Sequence, residues 1–197
     1  MASTHEAPVI ALVCSTGGLA ALTAVLGGLP AALPASVLVV QHQAPDVPAN
    51  LLVDILATRT PLTVAVATDG AALQPGRVLV APPGAHLLVD RHRHVALIGA
   101  GAVPPARPSA DLLLTTLAVP TGPACVAVVL SGHGRDGATG ATAVHRFGGT
   151  VIAADEATSE AFGMPRETME RDGATDHVLP VHHIAELLTQ LVTGVLL

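Results

Sequence analysis

A hydroxyl, an imidazole and a carboxylate occupy three comparable places in this sequence. Ser15 follows the apolar run that ends at Cys14 and opens STGG (15–18). His42 closes VLVVQH (37–42). Asp136 lies in SGHGRDG (131–137), directly after VAVVL. Each run reads as a strand, and in open α/β sheets ligands bind outside the carboxyl ends of the strands. The three residues are the parts of a nucleophile, base and orienter set, which is recognised by geometry rather than by chain order. The corner at Ser15 suits that chemistry. Gly17 and Gly18 let the backbone turn tightly and let a substrate approach. A helix start there leaves N–H groups and partial positive charge that can hold an oxyanion. The corner is not the G-x-S-x-G elbow, because position 13 is Val.

Other readings of the same residues stand beside this one. On pattern alone a simple N-cap ranks ahead of a nucleophile for Ser15. His42 also reads as a satisfied half-buried histidine. Ser131–Gly140 reads as a βα turn or as a phosphate cradle, although it has no Lys and no Walker spacing. Ten histidines raise a metal site. Neither His92/His94 nor His182/His183 has a third ligand at a known spacing, so no metal is expected. Cys14 points away from Ser15 on a strand and reads as core.

The elements that must position these residues alternate. Strand-like runs cover 8–14, 36–40, 62–67, 77–81, 86–89, 95–98, 125–130, 150–153 and 177–179. Helix-like runs cover 18–27, 48–58, 109–117, 137–147, 160–171 and 181–192. β-then-α alternation predicts a doubly wound, mostly parallel sheet with helices on both faces. The segment 77–98 reads as three short strands joined by turns, an antiparallel addition to that sheet. The stretch 99–108 (GAGAVPPARP) reads as an exposed loop. The expected organisation is a short lead over 1–7 and one domain over 8–193.

Composition narrows the function classes. Half the residues are hydrophobic, yet there are two Phe and no Trp or Tyr. Stacking platforms for single-stranded nucleic acid are therefore absent. Nine basic residues, all arginine, against fifteen acidic ones give a net charge of −6. Neither nucleic acid nor an anionic membrane is an expected partner. The N-terminus MASTHEAP carries no signal-peptide pattern, and no apolar run reaches the ~18 residues of a membrane span. Cys14 and Cys125 read as buried free thiols. A soluble cytoplasmic protein is expected.

Six motifs in order carry a resemblance: STGG (15–18), VVQH (39–42), GRVLVAP (76–82), RPSAD (107–111), GHGRDG (132–137) and DEATSEAFGMP (155–165). Together, over roughly residues 8–192, they resemble the catalytic domain of the chemotaxis receptor methylesterases, the CheB family. The resemblance implies a doubly wound sheet with an antiparallel hairpin near one edge. It implies Ser15, His42 and Asp136 as a catalytic triad that hydrolyses glutamate γ-methyl esters on chemoreceptor cytoplasmic helices and deamidates glutamine, with no cofactor. Thr16, Gly17, His133, Gly134 and Met164 become the oxyanion and substrate-binding candidates. The segments 99–108 and 155–165 become candidate substrate contacts. Family members usually carry a receiver domain ahead of this one, whereas here the catalytic strand begins at about residue 8, so the expectation is either no phosphorylation control or a separate regulator that supplies it.

The chain departs from the family around the site. Val13 and Cys14 stand where Gly and Ala are usual, Gln43 and His133 where Met is usual, and Ala106 where His is frequent. Val13 is expected to crowd the turn. His133 is expected to compete with Asp136 or His42 for hydrogen bonds, or to contact substrate. These changes leave hydrolysis in place and the substrate open. The alternative substrate is a small-molecule or other protein ester or amide outside chemotaxis.

Overall fold

The computed structural model describes residues 7–101 and 106–194. Most of the lead expected over 1–7, and residues 102–105 of the loop expected over 99–108, lie outside the described residues. Nine strands and six helices alternate: β1 Val9–Cys14, α1 Gly18–Gly27, β2 Ser36–Gln41, α2 Leu51–Ala57, β3 Thr63–Val66, β4 Arg77–Val80, β5 Ala85–Val89, β6 Val95–Gly99, α3 Ala110–Thr121, β7 Cys125–Val129, α4 Ala138–Arg146, β8 Thr150–Ala154, α5 Gly163–Glu170, β9 His177–Leu179 and α6 Val181–Thr193 among the described residues. The order in the main sheet is β3-β4-β2-β1-β7-β8-β9. Every neighbouring pair in it is parallel. From β1 the chain builds outward through β2 and β4, then returns to β1's other side with β7. The order reverses at β1, and a crevice opens at that point beyond the strand ends.

Period-two alternation explains the two layers. Ile10, Leu12 and Cys14 of β1 face a core completed by α1, α2 and α6. Val9, Ala11 and Val13 face the opposite core, completed by α3, α4 and the hairpin strands. Both faces of β1 are wholly buried, as parallel strands between helical layers require. Val13 therefore does not crowd the turn at Ser15. Its side chain points to the α4 side, under Gly137.

The structure places one strand in a different sheet from the one its sequence suggests. β4 is not part of an antiparallel addition; it lies in the main sheet, parallel to both β2 and β3. Among the described strands only β5 and β6 pair antiparallel, and they form a separate two-stranded sheet. The physical reason is burial: Val78, Leu79 and Val80 are covered on both faces. By contrast, Ile98 and Gly99 at the end of β6 are exposed. Boundaries shift by a few residues. α2 begins at Leu51, α5 begins at Gly163, and α3 continues through Pro120 to Thr121.

Helices α3 and α4 pack across Gly140. A methyl group there would lie 2.5 Å from Leu114 Cβ and 3.1 Å from Asp111 O. Gly140→Ala gains up to ~1 kcal/mol of helix propensity. It overpacks a contact between backbones, which costs ~1–3 kcal/mol. The expected outcome is a lower urea midpoint for Gly140→Ala and a larger fall for Gly140→Val, read by far-UV circular dichroism.

Candidate active site

The ends of β1, β2 and β7 are adjacent, so the segments after them converge. Ser15 N–H donates to Ser131 O at 2.9 Å, and Ser15 O accepts from Gly18 N–H at 2.9 Å. The chain turns between them at Gly17, whose φ of 75° lies in the left-handed region. A Cβ at Gly17 would also lie 2.6 Å from both Glu160 Cβ and Ser131 Oγ. Gly17, not Ser15, is the N-cap residue of α1, and no side chain caps that helix. The N-cap reading of Ser15 is thereby overturned. The first N–H groups of α1 carry no capping side chain and no acid in the first turn. They present partial positive charge beside the serine.

A second lacing forms the floor. Ser131 Oγ donates to Thr16 O at 2.7 Å and accepts from Ala161 N–H at 2.9 Å. Gly132 N–H donates to Ala161 O, and Met164 N–H donates to Gly132 O, each at 2.8 Å. A methyl at Gly132 would overlap Met164 Sδ and sit 2.9 Å from Ser15 Cβ. Met164 itself is wholly buried. It offers a substrate no surface and packs beneath the site, a correction to its expected role.

His42 follows β2 directly and its N–H donates to Cys14 O at 3.1 Å. Its Nε2 lies 2.8 Å from Asp136 Oδ2, with side chains 16% and 11% exposed. Asp136 accepts three further hydrogen bonds, all from the start of α3: Ala110 N–H at 2.7 Å, Asp111 N–H at 3.0 Å and Ser109 Oγ at 3.0 Å. Burial pushes the Asp136 carboxyl up, but the bonds from His42, Asp111 and Ala110 outweigh it and hold the group below its ordinary range. An ionised carboxylate only accepts, so Nε2 carries the hydrogen and Nδ1 is the free basic nitrogen of His42.

The reciprocal bond runs the other way. Asp111, in the first turn of α3, accepts from Gly137 N–H at 3.0 Å and Gly140 N–H at 2.8 Å at the start of α4. Burial raises the Asp111 carboxyl, the N–H of Gly140 opposes this, and the nearby Asp136 charge raises it further. The phosphate-cradle reading of 131–140 falls here, since these α4 N–H groups already hold a carboxylate. Behind α3, Ser109 N–H donates to Nδ1 of buried His86 at 2.9 Å. Burial lowers the His86 pKa, the Asp136 charge opposes this, and Arg107 lowers it further.

Two hollows flank the His42–Asp136 pair. One, about 580 Å³, is lined by Ser15, Thr16, Gly17, Gln41, His42 and Glu160 among others. The other, about 510 Å³, is lined by His42, Ala106, Asp111, His133, Gly134, Arg135 and Asp136. His133 is exposed and bonds neither Asp136 nor His42 among the described residues, contrary to the expected competition. Thr16 and Gly17 thus share the serine's hollow, while His133 and Gly134 lie across the imidazole. Gln41 Oε1 is buried without a partner at the edge of the first hollow. Cys14 is a fully buried free thiol against Gly18, as its place on the strand implied, and burial pushes its pKa far up. No group of three His, Cys, Asp or Glu able to hold a metal occurs among the described residues. No described helix is long and apolar enough to cross a membrane.

Sequence reasoning assigned no role to Asp111, Ser109, His86, Gln41 or Glu160. Signals existed for four of them: VVQH contains Gln41, RPSAD contains Ser109 and Asp111, and the candidate substrate contact 155–165 contains Glu160.

Residues 10–188 match the family described as CheB methylesterase. A protein-glutamate methylesterase/protein-glutamine glutaminase of Moorella thermoacetica is 43% identical over 192 residues, covering 94% of this chain and 44% of that protein. The protein-glutamate methylesterase FrzG of Myxococcus xanthus is 40% identical over 185 residues, covering 94% of this chain and 55% of FrzG. This chain therefore spans about half the length of these relatives. The crystal structure of the Thermotoga maritima CheB methylesterase catalytic domain superposes with a TM-score of 0.90 at 36% identity, covering 95% of this chain and all of that one. Fold, motif order and near-complete coverage agree, and the chain belongs to the CheB methylesterase family.

Proposed function

We propose that this chain is a serine carboxyl-ester hydrolase that cleaves glutamate γ-methyl esters on proteins, chemoreceptor helices foremost, and deamidates glutamine at such sites. The carrying observation is the 2.8 Å His42–Asp136 bond with Ser15 facing the same hollow as His42. The relatives named for both reactions support the two substrates.

In this mechanism Ser15 Oγ attacks the ester carbonyl while its proton passes to Nδ1 of His42. Asp136 keeps the Nε2–H tautomer and stabilises the imidazolium. Uncapped N–H groups at Thr16 and Gly17 face the developing oxyanion, helped by the α1 dipole. The C–O bond then breaks, the methoxy oxygen takes the imidazolium proton, and methanol leaves. Water attacks the Ser15 ester with the same base, and the carboxylate product departs with Ser15 reprotonated. With glutamine the leaving group is ammonia.

Methanol release from a methyl-esterified receptor helix is expected from the wild type and not from Ser15→Ala. Asp136→Asn is expected to lower kcat/KM by about 10,000-fold, because the imidazole loses its tautomer and its counter-charge. Equal release from both variants and the wild type would refute the triad.

Two groups near the site weaken the fold on acidification, and Asp111, raised above its ordinary 3.8, works against Asp136 in the acid window. Asp136 lies below its ordinary 3.8, so its contribution is present above that pH and lost as pH falls through its lowered value. His86 lies below its ordinary 6.5, so the unfolded chain takes up a proton that the folded chain refuses as pH falls below 6.5. Urea midpoints are expected to decline on acidification in both windows. His86→Gln, which still offers an acceptor, should flatten the upper window, and Asp136→Asn should flatten the lower while steepening the upper, because the charge that opposes the lowering of His86 is gone.

A further inference from the structure

Glu160 is out of place for a site that must stabilise negative charge. It lies directly over Gly17, so that a Cβ there would be 3.0 Å from Glu160 Oε2. The carboxylate therefore stands at the start of α1, beside Ser15 and the N–H groups assigned to the oxyanion. It is exposed, and no hydrogen bond or cation partners it among the described residues. It lines the Ser15 hollow and also a second one of about 260 Å³. That second hollow continues along α1 past Gly17, Ala20 and Ala24 to Thr158, Val181 and His182. Among the described residues no arginine lines either hollow, and Glu160 is the only acidic residue there. The two share Gly17, Ala20 and Glu160, so a substrate reaching Ser15 along α1 passes this charge.

We propose that Glu160 is a specificity-determining residue. It favours ester or amide substrates whose neighbouring side chains on the α1 side are cationic or uncharged, and it expels the carboxylate product. This rests on the hydrolytic reading above. That reaction turns a neutral ester into an anion inside the hollow, so a fixed negative charge at its wall discriminates between substrate and product. Two unit charges ~8 Å apart in partly solvated protein change an equilibrium by about tenfold. Salt screens the effect, because Glu160 is exposed. The small side chains of α1 leave space on this path, and Glu160 supplies its polarity.

The test uses two peptides, each with one glutamate γ-methyl ester, differing only in whether Arg or Glu flanks it on both sides. Wild type is expected to release methanol from the Arg peptide with about tenfold higher kcat/KM at low salt. The preference should shrink at ~0.5 M salt. Glu160→Gln, matched in shape at an exposed position, should lose most of the preference. A demethylated peptide with alanine in place of both Arg residues should inhibit it about tenfold more strongly than it inhibits the wild type. An unchanged preference and unchanged product inhibition in Glu160→Gln overturn the proposal. Failure of the hydrolytic reading shows separately, as no methanol from wild type or as equal release by Ser15→Ala. In that event calorimetric binding of the two peptides to Ser15→Ala decides: Arg-peptide preference that Glu160→Gln abolishes sustains the charge filter, and equal or absent binding ends it.

Discussion

The site depends on a pair of carboxylates exchanged between two helix starts. Asp136 precedes α4 yet is held by the first N–H groups of α3. Asp111 belongs to α3 yet holds the first N–H groups of α4. Each helix start lends its partial charge to the carboxylate of the other segment. The two acids lie close together and are driven apart, Asp136 below its ordinary range and Asp111 above it. Gly140 permits this exchange, because a side chain there would part the helices. The imidazole of His42 inherits its orientation from a junction made of backbone N–H groups, which cannot swing away as a long side chain would.

The serine is fixed in a comparable way. Ser15 has its own N–H and C=O engaged on either side of the turn. The turn is tied through Ser131 to the 161–164 segment. Around the serine, Gly17 and Gly132 leave no room for a Cβ, the first for its left-handed φ and its contact with Glu160 and the second for the approach of Met164 and Ser15. Rigid supports of this sort keep reacting groups oriented before substrate arrives.

Much of this was legible in the residues. Apolar runs without polar interruption marked the strands of the parallel sheet, and glycine corners marked where they ended. Since ligands gather at those ends, Ser15, His42 and Asp136 could be placed on one edge of the sheet before any coordinates. What escaped was relational. β4 looks like its hairpin neighbours, because nothing in RVLV states which strand it will bond to. Val13 looked obstructive because which side chain faces which layer follows from strand register, and here register turns it away from Ser15. Ser15 resembled a cap because the left-handed residue that begins α1 lies two positions later. Asp111 and His86 act through partners 26 and 23 residues away, separations that leave no local pattern. Glu160 reads as the first residue of a helix-like run until Gly17 is seen beneath it.

The lacing of the floor has a consequence for how the protein is made. Ser15 and His42 lie in the first quarter of the chain, Asp136 arrives 94 residues after His42, and the supports of Ser131 and Gly132 come from Ala161 and Met164. Chains are synthesised from the N-terminus, and non-local contacts of this span form late. A chain still emerging from the ribosome therefore carries a serine and a histidine but neither the carboxylate that orients the base nor the floor that shapes the turn. On the reading proposed above, the triad and its floor are complete only once the chain has been made through Met164.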